Sequence, residues 1–135
     1  MTDPAAVVLD ASAVIEIILA TPTAREIARS CTGKILNAPA HLDLECVGVI
    51  AALVRKARLT VGEAEQALAR LSAARVDRWA LTSLTATAWA ARTNLSVADA
   101  YYHALAVRLD AELHTCDQAL ADHTPGAVLH TPSRT

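Results

Sequence analysis

Four carboxylates in this sequence sit where each needs a reason. Asp10 ends the β-branched run Val7-Val8-Leu9, Asp117 follows Leu113-His114-Thr115, and Asp99 is the fourth residue of Ser96-Val97-Ala98-Asp99. Glu45 has Leu42, Gly48, Val49 and Ala52 as helical neighbours and interrupts an otherwise apolar stripe. Turn chemistry accounts for the aspartates one at a time: an Asp after a strand or at a helix start accepts backbone N–H groups and favours the positive end of the helix dipole. It does not account for Glu45, because an ionised carboxylate on a core-facing surface is costly unless a cation or donors compensate it. The alternative for Glu45 is a rotated helix that turns it to solvent beside Asp43. Were Asp10, Glu45, Asp99 and Asp117 to meet, four like charges at low effective dielectric could not all stay ionised without a divalent cation. All-oxygen ligation selects hard ions such as Mg²⁺ or Mn²⁺ over Zn²⁺. Such ions suit phosphodiester hydrolysis, activating water and stabilising the leaving oxygen, and that chemistry needs no nucleophilic side chain.

For the acids to meet, the chain must deliver them to one edge. Val7-Val8-Leu9 predicts a first strand, and Ser12 suits an N-cap for a helix over Ala13 to Ala20. Thr21-Pro22-Thr23 breaks that helix, a short helix covers Ala24 to Ser30, and Ile35-Leu36 forms a second strand. Ala38-Pro39 opens a longer helix, with proline in its first turn, to about Arg58. Thr60-Val61-Gly62-Glu63 has the form of a capping box, with Ala64, Leu68 and Leu71 at helical spacing after it. Ala74 to Trp79 reads as a third strand, Thr82 to Thr93 as a helix, and Ser96 to Asp99 as a second capping box heading a helix to about Leu109. Ala111 to Thr115 gives a fourth strand, Gln118 to Asp122 a short helix and Ala127 to Leu129 a fifth strand. Strands separated by helices imply crossovers, hence a parallel sheet of four or five strands covered by helices on both faces, a three-layer α/β/α domain. In such a sheet ligands collect beyond the carboxyl ends of the strands, where Asp10 and Asp117 both fall.

Composition narrows the function classes. A chain of 135 residues without repeat, low-complexity tract or linker is expected to be one domain over 1–135, with 131–135 a frayed tail. The net charge of −2 argues against binding polyanions through bulk positive potential, so any nucleic-acid contact must be local. Cys31, Cys46 and Cys116 are an odd number with no Cys-x-x-Cys or Cys/His cluster, which indicates neither a disulfide framework nor a zinc knuckle and fits a reducing cytoplasm. Cys46 is expected in the core. No segment approaches the roughly 20 apolar residues that span a bilayer, and no basic leader precedes the first apolar run, so a soluble protein with no membrane partner is expected.

Three segments carry a resemblance: "VVLDASAVIEII", "NAPAHLDLECVGVIAAL" and "NLSVADAYYHALAVRLDAELHTCDQAL". In order, and over nearly the whole chain, they resemble the first strand and acid, the helix with a central Glu, and the paired third and fourth acids of the PIN-domain ribonucleases, particularly the VapC-type toxins of bacterial toxin–antitoxin systems. A lone Asp-x-Ser is weak, whereas "LSVADAYYHALA" with "LHTCDQAL" is fairly specific. The resemblance implies a PIN-like fold and a Mg²⁺-dependent endoribonuclease, with Mn²⁺ able to substitute, whose acidic site is Asp10, Glu45, Asp99 and Asp117. Asp10, Asp99 and Asp117 would be the direct metal ligands, and Glu45 would hold or polarise metal-bound water. Ser12 and Thr115 match hydroxyl positions that line such sites, with caps or strand-end hydrogen bonding as their other role. The resemblance also implies a cognate antitoxin that blocks the site, a homodimer and a toxin–antitoxin hetero-oligomer. Cys116 before Asp117 and the bulky Tyr102-His103 depart from the pattern and bear on substrate fit.

RNA held against an acidic site needs cations at its rim, and Arg55, Lys56 and Arg92 are candidates by position, with a solvated helix face as the other reading. Ile15, Ile17, Ile18 and Leu19 are more apolar than one buried face needs, so interface and complete burial both stay open. His103, one turn beyond Asp99, has no necessary task beside a metal, and His41, His114, His123 and His130 lack ligand spacing. Two rival functions remain. A phosphoacceptor or phosphatase domain also places an Asp after its first strand and binds Mg²⁺, but needs a Lys at a later strand end, and the only lysines are Lys34 and Lys56. A PIN-like binding module without catalysis would have no use for all four acids.

Overall fold

A computed structural model describes residues 4–132; the expected tail lies partly, at Ser133 to Thr135, outside the described residues. The chain alternates strands and helices as β1 (Ala6–Leu9), α1 (Ala11–Ile18), α2 (Pro22–Ser30), β2 (Ile35–Pro39), α3 (Leu42–Arg55), α4 (Val61–Ala73), β3 (Val76–Trp79), α5 (Thr85–Ala90), α6 (Val97–Leu109), β4 (Glu112–Thr115), α7 (Gln118–Asp122) and β5 (Ala127–Leu129). A 3-10 turn, Leu81–Ser83, precedes α5. All strand pairs are parallel and the order is β3-β2-β1-β4-β5. The crossovers from β1 to β2 and β2 to β3 run one way along the sheet, and those from β3 to β4 and β4 to β5 run the other. Right-handed connections therefore place α1 to α4 on one face and α5 to α7 on the opposite face, giving the three-layer α/β/α domain expected. Among the described residues, no helix is long and apolar enough to cross a membrane.

The core is aliphatic, as a chain without Phe requires: Val7, Val8, Leu9, Ile18, Ile27, Leu42, Ile50, Leu84, Leu105, Leu113 and Leu120 are buried, with Ala13, Ala38, Ala67, Ala100, Ala104 and Ala106 where elements approach closely. Helix α6 lies across β1, β2 and β4. Its first turn thereby overhangs the carboxyl ends of β1 and β4.

Four local expectations need correction. Helix α1 starts at Ala11, and its N-cap is Asp10 rather than Ser12: the Asp10 carboxylate accepts the Ala13 N–H at 3.0 Å, while the Ser12 hydroxyl is spent on Asp10 itself. Ala38-Pro39 closes β2 and does not open a helix, since proline holds its predecessor in extended backbone. The missing N–H costs no ladder bond, because Ala40 N–H donates to Trp79 O at 2.8 Å, and α3 begins only at Leu42. The helix over Thr82 to Thr93 divides at Leu84 into the 3-10 turn and the six-residue α5. Thr82, Thr85 and Thr87 weaken helix propensity around the break, and the Thr85 and Ser83 hydroxyls bond the Leu81 and Ala80 carbonyls. At α6 the capping box is one-sided: Ser96 Oγ accepts the Asp99 N–H at 3.2 Å, but no return bond from Ser96 N–H to Asp99 occurs among the described hydrogen bonds. The box at α4, by contrast, is complete.

The histidines without ligand spacing have structural work. His114 and His130 are both 1% exposed, stacked, and joined at 2.9 Å, with Glu112 at 3.2 Å on one side and Glu26 at 3.1 Å on the other. This relay ties the chain after β5 to β4 and α2.

Candidate active site

Asp10 and Asp117 emerge from β1 and β4, which are neighbours in the sheet although their sequences are distant. The chain reverses its direction along the sheet between them, and this switch point is where an open α/β sheet leaves a crevice. Asp10 is 3% exposed, and its carboxylate accepts three hydrogen bonds: Ser12 Oγ at 2.7 Å, Thr115 Oγ1 at 2.6 Å and Ala13 N at 3.0 Å. The two hydroxyls work reciprocally across the strand ends. Ser12 Oγ, after β1, accepts the Cys116 N–H at 2.8 Å, and Thr115 Oγ1, at the end of β4, accepts the Asp117 N–H at 2.9 Å. Asp117 in turn caps α7 by accepting the Leu120 N–H at 3.1 Å. Ser12 and Thr115 thus position both strand-end acids.

The third acid, Asp99, comes from the first turn of α6. Its carboxyl is held above the ordinary range, first by burial and then by the charge of Asp117, with Glu45 adding to the effect. Burial likewise pushes Asp10 up to about 6 against the lowering of its three donors, and the Asp99 charge adds to it. The acids therefore feel one another in a common field. Among the described residues, no group of three or more His, Cys, Asp or Glu side chains is drawn together tightly enough to grip a metal ion as they stand.

Glu45 corrects the stripe expected for its helix. The buried positions of α3 are Leu42, Cys46 and Ile50, whereas Gly48 and Val49 are exposed, so Glu45 lies at the margin of the apolar face. It does not turn away to solvent beside Asp43, which pairs instead with Arg78 through two 2.8 Å bonds. The buried Tyr102 hydroxyl donates to Glu45 Oε1 at 2.6 Å, and His41 Nε2 stands 3.6 Å from the same atom. His41 also meets the Ala98 carbonyl at 3.0 Å and packs against the Tyr101 and Tyr102 rings. Sequence reasoning missed this clasp. Its signals were the spacing of His41 four residues before Glu45 and of Tyr102 three after Asp99.

Other candidates fall away from the site chemistry or are simply exposed. Burial pushes the Cys46 thiol up to about 12 and the Cys116 thiol up to about 11, which disfavours the reactive thiolate in both. Arg55, Lys56 and Arg92 are exposed, and Arg92 lies 4.1 Å above the exposed ring of Trp89. Ile15 and Ile18 belong to the core, while Ile17 and Leu19 are only partly covered.

Acids gathered at the switch point of a five-stranded parallel sheet define a PIN-like α/β domain. In structure the chain is similar to PAE2754 from Pyrobaculum aerophilum, with a TM-score of 0.69 at 20% identity, covering 93% of this chain and 83% of that one. In sequence it is similar to Ribonuclease VapC12 of Mycobacterium tuberculosis, 38% identical over 115 residues, or 85% of this chain and 89% of that protein. Ribonuclease VapC3 of the same organism is 35% identical over 125 residues, covering 92% and 91%, and Ribonuclease VapC9 is 32% identical over 116 residues, covering 86% and 89%. No protein-family model matches the chain. The chain belongs to the VapC ribonuclease family.

Proposed function

We propose that this protein is a Mg²⁺-dependent endoribonuclease, the cytoplasmic toxin of a type II toxin–antitoxin pair. The observation that carries the reading is the pair of strand-end acids, Asp10 and Asp117, cross-braced by Ser12 and Thr115 and overhung by Asp99. The donor set fits a hard divalent cation: it offers carboxylate oxygens alone, and burial, with repulsion from neighbouring acids, disfavours the ionised forms of Asp10 and Asp99 unless positive charge is supplied. Asp10, Asp99 and Asp117 would hold Mg²⁺ or Mn²⁺, which supplies the positive charge that a phosphodiester and its leaving oxygen require. Glu45 is anchored through Oε1 by Tyr102, so Oε2, unengaged among the described hydrogen bonds, is the atom that takes a proton from the attacking water. Arg92 on Trp89, with Arg55 and Lys56, supplies cations that meet RNA phosphates at the rim.

Partners follow from the same reading. An apolar cavity of about 350 Å³ between α1, α4 and the sheet, lined by Leu9, Ile17, Ile18, Leu36, Ala73 and Val76, suits an apolar side chain of a cognate antitoxin. Ile17 and Leu19 on α1 are the surface for a homodimer and for the toxin–antitoxin hetero-oligomer. A phosphoacceptor reading is disfavoured by Lys34, which stands before β2, at the far end of the strands from Asp10, and pairs with Glu112 at 3.1 Å.

Purified protein is expected to cleave RNA with Mg²⁺ or Mn²⁺, to stop in EDTA, and to lose cleavage in Asp10→Ala and Asp99→Ala while keeping its circular dichroism spectrum. Undiminished cleavage by the folded variants would refute the assignment. Acyl-phosphate formation on Asp10 would favour the phosphoacceptor.

A further inference from the structure

One turn below the acids, a second pair of groups faces across the same two helices. Positions 99, 103 and 107 form one stripe of α6, each step rising about 6 Å along the axis. Chain direction makes α7 run parallel to α6, since both leave the same sheet edge. Asp99 is opposed by Asp117 at the start of α7, and His103 by His123 at its end, each pair coupled through its charges. Between the helices and the α5–α6 connection lies an open hollow of about 280 Å³, lined among others by Thr87, Asn94, Leu95, His103, Val107 and His123.

Its polar groups are set for a ligand. The Ala119 carbonyl, 2.9 Å from His123 Nδ1, can only accept, so Nδ1 donates to it and Nε2 is the ring nitrogen left for a ligand. His103 Nδ1 is occupied by the buried Thr124 hydroxyl at 3.0 Å, which fixes the ring and leaves its Nε2 unengaged. The Asn94 amide makes no hydrogen bond among the described contacts and presents both donor and acceptor. Thr87 adds a hydroxyl, and the rest of the wall is apolar, from Ala90, Ala91, Leu95 and Val107.

We infer that this hollow is a nucleobase-binding subsite, which receives the base of a nucleotide beside the scissile phosphate and reads its edge through Asn94, His103 and His123. The inference rests on the ribonuclease reading of the neighbouring acids. Flat rings and apolar walls suit the face of a base, and paired amide and imidazole groups suit its edge. A phosphate is the poorer occupant. No Lys or Arg is among the residues that line the hollow, and burial, with His123 adding to it, holds the His103 imidazole below its ordinary range. The one-turn offset from Asp99 matches the reach from a phosphate to its own base.

The test is a titration of the full chain with AMP, CMP, GMP and UMP, following the ring protons of His103 and His123 and the side-chain amide of Asn94 by NMR. Saturable shifts of all three are expected with at least one nucleotide, and none with ribose 5-phosphate. Silence with all four nucleotides, or equal shifts with ribose 5-phosphate, would overturn the inference. A second arm uses single-stranded RNA randomised around the cut. Wild-type protein is expected to favour particular bases at one flanking position, and Asn94→Ala and His123→Ala to flatten that bias and raise KM severalfold. A bias unchanged in both variants would sink the subsite and spare the nuclease. A wild type that cleaves no RNA would sink the nuclease, and the nucleotide titration would still decide the hollow.

Discussion

At the scale of the residue, Asp10 is held in a state it does not favour. Its carboxyl stands at about 6 in the fold against an ordinary 3.8, because desolvation outweighs three donors. The folded state thus holds the proton more tightly than the unfolded chain, and the sign of the linkage follows. The contribution of Asp10 to stability is greatest below about pH 4, falls as the pH rises to about 6, and stays reduced above it, by about 3 kcal/mol for two pKa units. Asp10→Asn keeps the acceptor for Ala13 and removes the charge. In metal-free buffer its unfolding free energy at pH 7 is therefore expected to exceed that of the wild type by about 1 to 3 kcal/mol, with the gap closing near pH 4. Urea unfolding across that range measures it, and a constant or inverted gap would contradict the account. A buried acid held at a cost to stability is the kind of trade that active sites make.

At the scale of the element, capping chemistry separates Glu63 from Asp99. Glu63 returns the bond of Thr60 and completes its box, whereas Asp99 leaves its box open and turns its charge to the site. Thr60→Ala is accordingly expected to cost about 1 kcal/mol of stability, read from the urea midpoint, and to leave RNA cleavage unchanged. A loss of cleavage with an unchanged midpoint would mean that α4 serves the site directly. The same chemistry shows what was legible in advance. The α4 box, the limits of α7 and β5, and the parallel α/β pattern followed from local residue types. The end of β2 did not, because Pro39 suits a helix start as well as a strand end, and only pairing with Trp79 decides between them. The apolar stripe read around Glu45 did not form, since Gly48 and Val49 are exposed, and Glu45 stands at the margin of the buried face, held by Tyr102 from another helix. Contacts such as the clasp of Ser12 and Thr115 cross more than 100 positions of sequence, and periodicity carries no information at that range.

At the scale of the whole molecule, the strand order does the assembling. Placing β1 at the centre, with β4 beside it across the reversal, brings acids from positions 10 and 117 to one edge, and the crossover helix between β3 and β4 adds position 99. Carboxylate oxygens from three distant segments thus approach one edge, and of these acids Asp10 and Asp117, taken alone, are ordinary caps. Mn²⁺ titration of the intact protein, observed as paramagnetic broadening of backbone NMR signals, tests this most directly. The account predicts saturable broadening centred on Asp10, Asp99 and Asp117, competed by Mg²⁺ and lost in Asp99→Asn. Broadening centred elsewhere, or none from a protein that still cleaves RNA, would contradict it.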